Sequence, residues 1–155
     1  MIRLTAVALF ALFAFSVSAA PVPADEKDPA KEDLAKLNGT WKVTSYKVAG
    51  VELIDADNPV EKILTFKNGG FEWAGGKSLP GKVTAIDPTK TAKRITYEYI
   101  GAADDRRFHK AIYKLDGDTF TDCFGDYGDD WPTEFKSTAE NGLKMLVYKR
   151  VKKVD

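Results

Sequence analysis

Leu37-Asn38-Gly39-Thr40-Trp41-Lys42-Val43 is where the chain changes character. Before it the sequence has no strand pattern, and after it apolar and polar residues alternate. A period of two sends successive side chains to opposite faces of a strand, as a half-buried sheet requires. The strands expected on this pattern are Thr40–Ala49, Lys62–Lys67, Gly70–Ala74, Lys82–Ile86, Lys93–Ile100, Arg107–Leu115, Thr119–Phe124 and Lys144–Val151. Clusters of Gly, Pro, Asn and Asp separate them. Asn68-Gly69-Gly70, Gly75-Gly76 and Asp116-Gly117 read as hairpin turns, because Gly, Asn and Asp reach positive φ at least cost. Short strands, close turns and no long amphipathic segment predict an all-β chain, an antiparallel up-and-down β-barrel of about eight short strands. An open sandwich is the competing arrangement.

Upstream, Met1–Ala20 has one early positive charge, Arg3, then the apolar run Leu4–Val17, then Val17-Ser18-Ala19-Ala20. This is the layout of a secretory signal peptide. The run falls short of the ~20 residues that a spanning helix needs, so no membrane insertion is expected after cleavage. An uncleaved anchor is the competing reading. Cleavage is expected after Ala19, since Val17 and Ala19 satisfy the small-residue rule and a cut after Ala20 would put Pro21 beside the scissile bond. No Cys follows to carry a lipid. Residues 20–36, rich in Pro, acids and Lys, read as a flexible tether with a helical turn or two over Lys31–Leu37. Residues 37–155 then form the domain, exported to the periplasm or beyond.

Composition excludes more than it selects. Removing residues 1–19 takes away Arg3 alone, so 23 basic residues become 22 against 23 acidic ones. A nearly neutral surface argues against nucleic acid or anionic membrane as the main partner, since both need concentrated positive charge. With 44% hydrophobic residues and 12% aromatics, the chain can bury one core. Cys123 is the single cysteine, which rules out an internal disulfide and reads as a small buried strand residue. One His, one Cys, and no nucleophile elbow, phosphate loop or metal-spaced cluster leave no catalytic constellation. No enzymatic role, cofactor or metal is expected. A carrier of a small apolar or amphiphilic molecule and a structural or protein-interaction module of the cell envelope remain.

Functional candidates must face inward or ring the open mouth. With Asp116-Gly117 as a two-residue turn, Leu115 pairs with Asp118, Tyr113 with Phe120, Ala111 with Asp122 and His109 with Phe124, all on one face. Lys110, Lys114 and Thr121 take the other. Tyr113, Phe120 and Phe124 then point inward and, with Trp73, Tyr97 and Tyr99, line an aromatic calyx. The same rings would equally fill the core of a small barrel.

Several segments resemble a known family. Leu37–Val43, Leu64-Thr65-Phe66, Ile112–Asp118, Cys123-Phe124, Pro132-Thr133-Glu134-Phe135 and Tyr148-Lys149-Arg150 look like the small lipocalin-like domains abundant in planctomycete bacteria. The likeness covers essentially all of the chain after the tether and implies a barrel and export, but no activity. The Gly-x-Trp start also resembles the lipocalin signature, which implies that Trp41 closes one end of the barrel, that Gly39 lets the backbone pass close to it, and that Arg150 packs across the ring. Two residues depart from the family pattern: Trp131 stands where Arg usually precedes the Pro, and Asp122 where an apolar residue is usual.

In the register above, Asp122 sits inward between Phe120 and Phe124, diagonal to His109. An inward carboxylate is costly unless it is paired. His109 is the nearest candidate partner, with a raised pKa if the pair forms; both groups unpaired at a wet mouth is the favoured reading. Trp131, large and aromatic in a polar loop, is expected to fold over the mouth as a lid or to mark a contact surface. Gly125–Asp130 reads as a solvated acidic turn, since its spacing matches no defined calcium loop.

Overall fold

A computed structural model describes residues 27–74, 79–100 and 105–152. The expected signal peptide, its cleavage site and the Gly75-Gly76 turn lie outside the described residues. Helix α1 (Pro29–Leu37) is followed by strands β1 (Gly39–Val48), β2 (Val51–Ile54), β3 (Ile63–Lys67), β4 (Gly70–Ala74), β5 (Leu79–Asp87), β6 (Lys93–Ile100), β7 (Arg106–Asp116), β8 (Thr119–Phe124) and β9 (Lys144–Arg150). All eight expected strands are present, shifted by no more than a few residues at their ends.

The sheet runs antiparallel from β1 through β3 to β9, and β9 returns to pair with β1 and close the barrel. Closure leaves no long free edge. Since β9 occupies one side of β1, β2 and β3 share the other: β3 pairs with Gly39–Lys42 and β2 with Tyr46–Val48. The ninth strand, β2, was not expected. It is joined through a two-residue turn, Ala49-Gly50, with φ of 51° and 83°. Alanine is an uncommon occupant of left-handed backbone. The turn is supported from outside, because the Leu143 carbonyl accepts from Ala49 N (3.1 Å) and Ser137 Oγ from Gly50 N (3.0 Å).

The β3–β4 turn is Asn68-Gly69, both at positive φ (51° and 81°), as a type I′ hairpin requires. The β7–β8 turn differs from expectation. Its loop residues are Gly117-Asp118, with Gly117 at φ 53°, so Asp116 pairs with Thr119, Leu115 with Phe120, Tyr113 with Asp122 and Ala111 with Phe124. The expected pairs were therefore wrong by two residues. An even slip keeps every side chain on its face, and the inward assignments stand.

Aromatic rings fill the barrel's middle. Phe120 stacks on Tyr148 (centroids 4.9 Å apart) and meets Trp41 at 5.7 Å and Phe66 edge-on at 6.0 Å. Phe71 pairs with Gly81 on β5, and its ring covers the space where a Cβ on that glycine would sit.

One end, the floor, is knitted to α1. The segment expected as tether thus ends in an ordered helix, capped by Asp28, whose carboxylate accepts from Ala30 N at 3.0 Å. The carbonyls left unpaired at its C-terminal end are taken by side chains of the barrel. Trp41 Nε1 donates to Leu37 O (2.8 Å), and Arg150 donates to Lys36 O (2.6 Å) and Asn38 O (2.8 Å). The Arg150 guanidinium lies 4.0 Å over the fully buried Trp41 ring. Gly39, at φ 126°, passes so close that a Cβ there would stand 2.8 Å from Arg150 Nη1. Gly39, Trp41 and Arg150 thus meet at this end, with the guanidinium across the ring and the glycine backbone against the guanidinium.

Candidate functional site

The opposite end, the mouth, is built where β4, β6 and β8 end and β7 and β9 begin. Trp73, Tyr97, Tyr99, Asp122 and Phe124 line a cavity there, with Leu64 and Phe71. Trp73, Tyr99 and Phe124 are half-buried at its rim, while Tyr97 and Asp122 are fully inside. The cavity has a volume of about 10 Å³, room for about one water molecule. Five of the eight ligand-binding candidates thus come together. Tyr113 and Phe120 do not join them: Phe120 fills the middle, and the Tyr113 hydroxyl donates to Asp33 of α1 at 2.9 Å, near the floor.

Asp122 sets the electrostatics of the mouth. It is 2% exposed, and the hydroxyls of Tyr97 (3.2 Å) and Tyr148 (3.3 Å) donate to it. Burial pushes the carboxyl up to about 7, more than these two hydrogen bonds pull it down. The tyrosines respond in kind: burial first, then the carboxyl's charge, holds Tyr97 and Tyr148 well above the ordinary phenol value.

His109 is not the partner of Asp122. Its Nδ1 lies 3.1 Å from the Gly125 carbonyl, an acceptor only, so the neutral ring carries its proton there. The ring packs against Tyr127 (4.1 Å), Phe124 (4.9 Å) and Tyr99 (5.5 Å). Burial, then the charge of Lys144, lowers the imidazole pKa, opposite to the rise that pairing would give. The reading of a wet, unpaired Asp122 at the rim also fails, since the carboxyl is buried and hydrogen-bonded.

Trp131 is not a lid over the mouth. It lies on the outer wall, with Arg94 of β6 and Lys110 of β7 at 4.9 and 4.8 Å from its ring. Its Nε1 is buried with no hydrogen-bond partner among the described residues. The connection between β8 and β9 runs along this wall, placing Phe135 under Lys114 (4.3 Å) and the Lys136 backbone against the Cys123 thiol. Ile112 and Cys123 alternate with inward neighbours, yet both are fully buried on this outer face. Cys123 is free, and burial lifts its thiol to about 11.

Sequence reasoning missed Tyr127, which covers His109 from the Gly125–Asp130 turn under Arg107 (5.2 Å). It also missed Tyr46 and Lys62. The Lys62 ammonium stands 5.0 Å from the Tyr46 ring and 5.7 Å from Trp73. An Asp-rich turn signals solvent, and nothing in its composition points to an aromatic cap. The carboxylates of that turn are engaged within the chain: Asp126 with Lys144, Asp130 with Lys110 (2.9 Å), and Asp129 with the Asp126 amide (2.7 Å).

Comparison with family models, curated proteins and solved structures finds no match. The geometry of the mouth therefore carries the functional reading by itself.

Proposed function

We propose that this chain is an exported lipocalin-like domain that binds a small apolar or amphiphilic molecule at the mouth of its barrel. The observation that supports this is the half-buried aromatic rim of Trp73, Tyr99 and Phe124 around a cavity with a polar floor. Small-molecule sites combine an apolar lining with a few convergent polar groups in this way. The filled middle of the barrel limits how far a ligand enters. Its polar head reaches Asp122, and its apolar part rests among the rim rings. Export is supported by the charge, apolar run and small-residue order of Met1–Ala20.

The test is a titration with the apolar dye N-phenylnaphthylamine. Saturable, stoichiometric fluorescence enhancement that is lost in Trp73→Ala, with an unchanged urea midpoint, is the expected result. No binding of the dye, and no displacement of it by fatty alcohols or isoprenoids, refutes the carrier reading.

A second reading, a protein-interaction module of the cell envelope, is favoured by β2. Val51 and Leu53 share one face of that strand and are 60% and 44% exposed. Under that reading the dye does not bind, and Val51→Ser with Leu53→Ser abolishes co-purification with an envelope partner.

A further inference from the structure

Three carboxyl groups of the described residues are buried, and the chain treats them differently. Asp33, 4% exposed, receives Lys93 Nζ at 2.6 Å, the Tyr113 hydroxyl at 2.9 Å and Lys36 Nζ at 3.4 Å. Glu98, 2% exposed, receives Lys82 at 3.1 Å and Arg106 at 2.9 Å. Asp122 receives two tyrosine hydroxyls and, among the described residues, no cation within ion-pair distance. A buried carboxylate is tolerated when a positive charge answers it. Among the three, Asp122 alone lacks that charge, and it lines the cavity of the mouth.

We propose that the ligand of the mouth carries a primary ammonium head, for which Asp122 is the counter-ion. The inference rests on the mouth being the binding site. The size of the void selects the head: an ammonium is about as large as the one water the space admits, whereas a trimethylammonium is not. The walls suit it as well. The Tyr97 hydroxyl, which lines the cavity and donates to Asp122, retains a lone pair for an ammonium proton. The ring of Tyr99, which lines the cavity, attracts a cation electrostatically. The rim cations are otherwise engaged, Lys144 with Asp126 and Lys62 over Tyr46 and Trp73. The apolar tail lies where the rim rings are half-exposed.

The experiment uses four probes with one tail, octylamine, octyltrimethylammonium, octanol and octanoate, titrated calorimetrically into the mature protein at about pH 8, where the amine is charged and most of the carboxyl ionised. Octylamine is expected to bind at least about tenfold more tightly than each of the others. Asp122→Asn is expected to reduce octylamine to the affinity of octanol while leaving octanol unchanged. Should that variant misfold, the wild type still decides. Octylamine affinity rises several-fold from about pH 5.5 to about pH 8, and octanol affinity stays flat. The other groups around the carboxyl do not supply this change. Tyr46, Tyr97, Tyr99, Tyr113 and Tyr148 are all raised above the ordinary phenol value and stay neutral, Lys62 stands over Tyr46 and Trp73, Lys144 pairs with Asp126, and His109 is lowered by burial and faces Tyr127. Equal binding of octylamine and octanol, or a preference that survives in Asp122→Asn, overturns the counter-ion assignment and leaves the mouth reading standing. Failure of every probe to bind defeats the mouth reading itself.

Discussion

Replacing Asp122 by Asn isolates the protonation of one buried carboxyl. In the folded, unliganded protein this group titrates near 7 against an ordinary 3.8, because burial outweighs the hydrogen bonds of Tyr97 and Tyr148. A raised folded-state value means that the native protein holds a proton that the unfolded chain has already released. The stability linked to that proton is complete below about pH 4 and is lost as pH climbs through about 7. A shift of this size corresponds to about 4 kcal/mol, a large part of the ~5–15 kcal/mol that holds a typical domain together. Asparagine has nearly the same shape and never ionises, so its stability lacks this decline.

Two other groups slope the other way. Burial raises the Asp33 carboxyl, but the hydrogen bonds from Lys93 and Tyr113 and the Lys93 charge win and leave it lowered, so its contribution appears above the unfolded value and is lost in acid. His109, lowered by burial, contributes above 6.5 and loses that contribution as pH falls through its folded value. Both act alike in wild type and variant, so the difference between the two curves is the readout. Urea midpoints and m-values are measured by tryptophan fluorescence from about pH 4.5 to about pH 8.5. The lead of the variant over the wild type is expected to grow by roughly 2.5–3 kcal/mol from about pH 5 to the top of the range. A flat difference curve refutes the uncompensated burial of Asp122.

Trp41→Ala removes the ring that meets Phe120, carries Arg150 and bonds Leu37, and is expected to cost about 3–5 kcal/mol; an unchanged denaturation midpoint contradicts the floor assembly. His109, followed by NMR as the only histidine, is expected to titrate below 6.5 and to be insensitive to Asp122→Asn. A raised value that falls in the variant would restore the pairing that the structure denies.

The floor and the strands were legible because they obey local rules. Alternation located eight strands, and Asn68-Gly69 marked its hairpin by composition alone. Ala49-Gly50 did not, because its backbone is held by Leu143 and Ser137, far along the chain. The β7–β8 turn exposes a limit of another kind. Asp116-Gly117 and Gly117-Asp118 are both acceptable turn dipeptides, and the slip between them leaves every face unchanged, so side-chain pattern cannot detect it. The slip still changed the chemistry, since moving Asp122 from Ala111 to Tyr113 removed His109 from its reach. Trp131 was misread for a related reason. The sequence shows a large ring in a polar loop, whereas the cations that receive it, Arg94 and Lys110, lie on other strands.

The two ends of the barrel divide its labour. At the floor every device is satisfied: the last carbonyls of α1 are bonded, Asp33 has its lysine, and Arg150 covers Trp41. At the mouth the same chain leaves a carboxyl without a cation and rings half-exposed to solvent. Local consistency is what makes a sequence fold, and a break in it is expected where stability has been given up for function. The neighbours of position 122, Leu146 and Phe120, are apolar, and the two buried hydroxyls of Tyr97 and Tyr148 that donate to Asp122 need an acceptor there but not a charge. An aspartate kept there despite a cost of several kcal/mol at neutral pH is accounted for if a ligand supplies the missing charge, since binding to the folded state alone returns stability in proportion to the logarithm of ligand concentration.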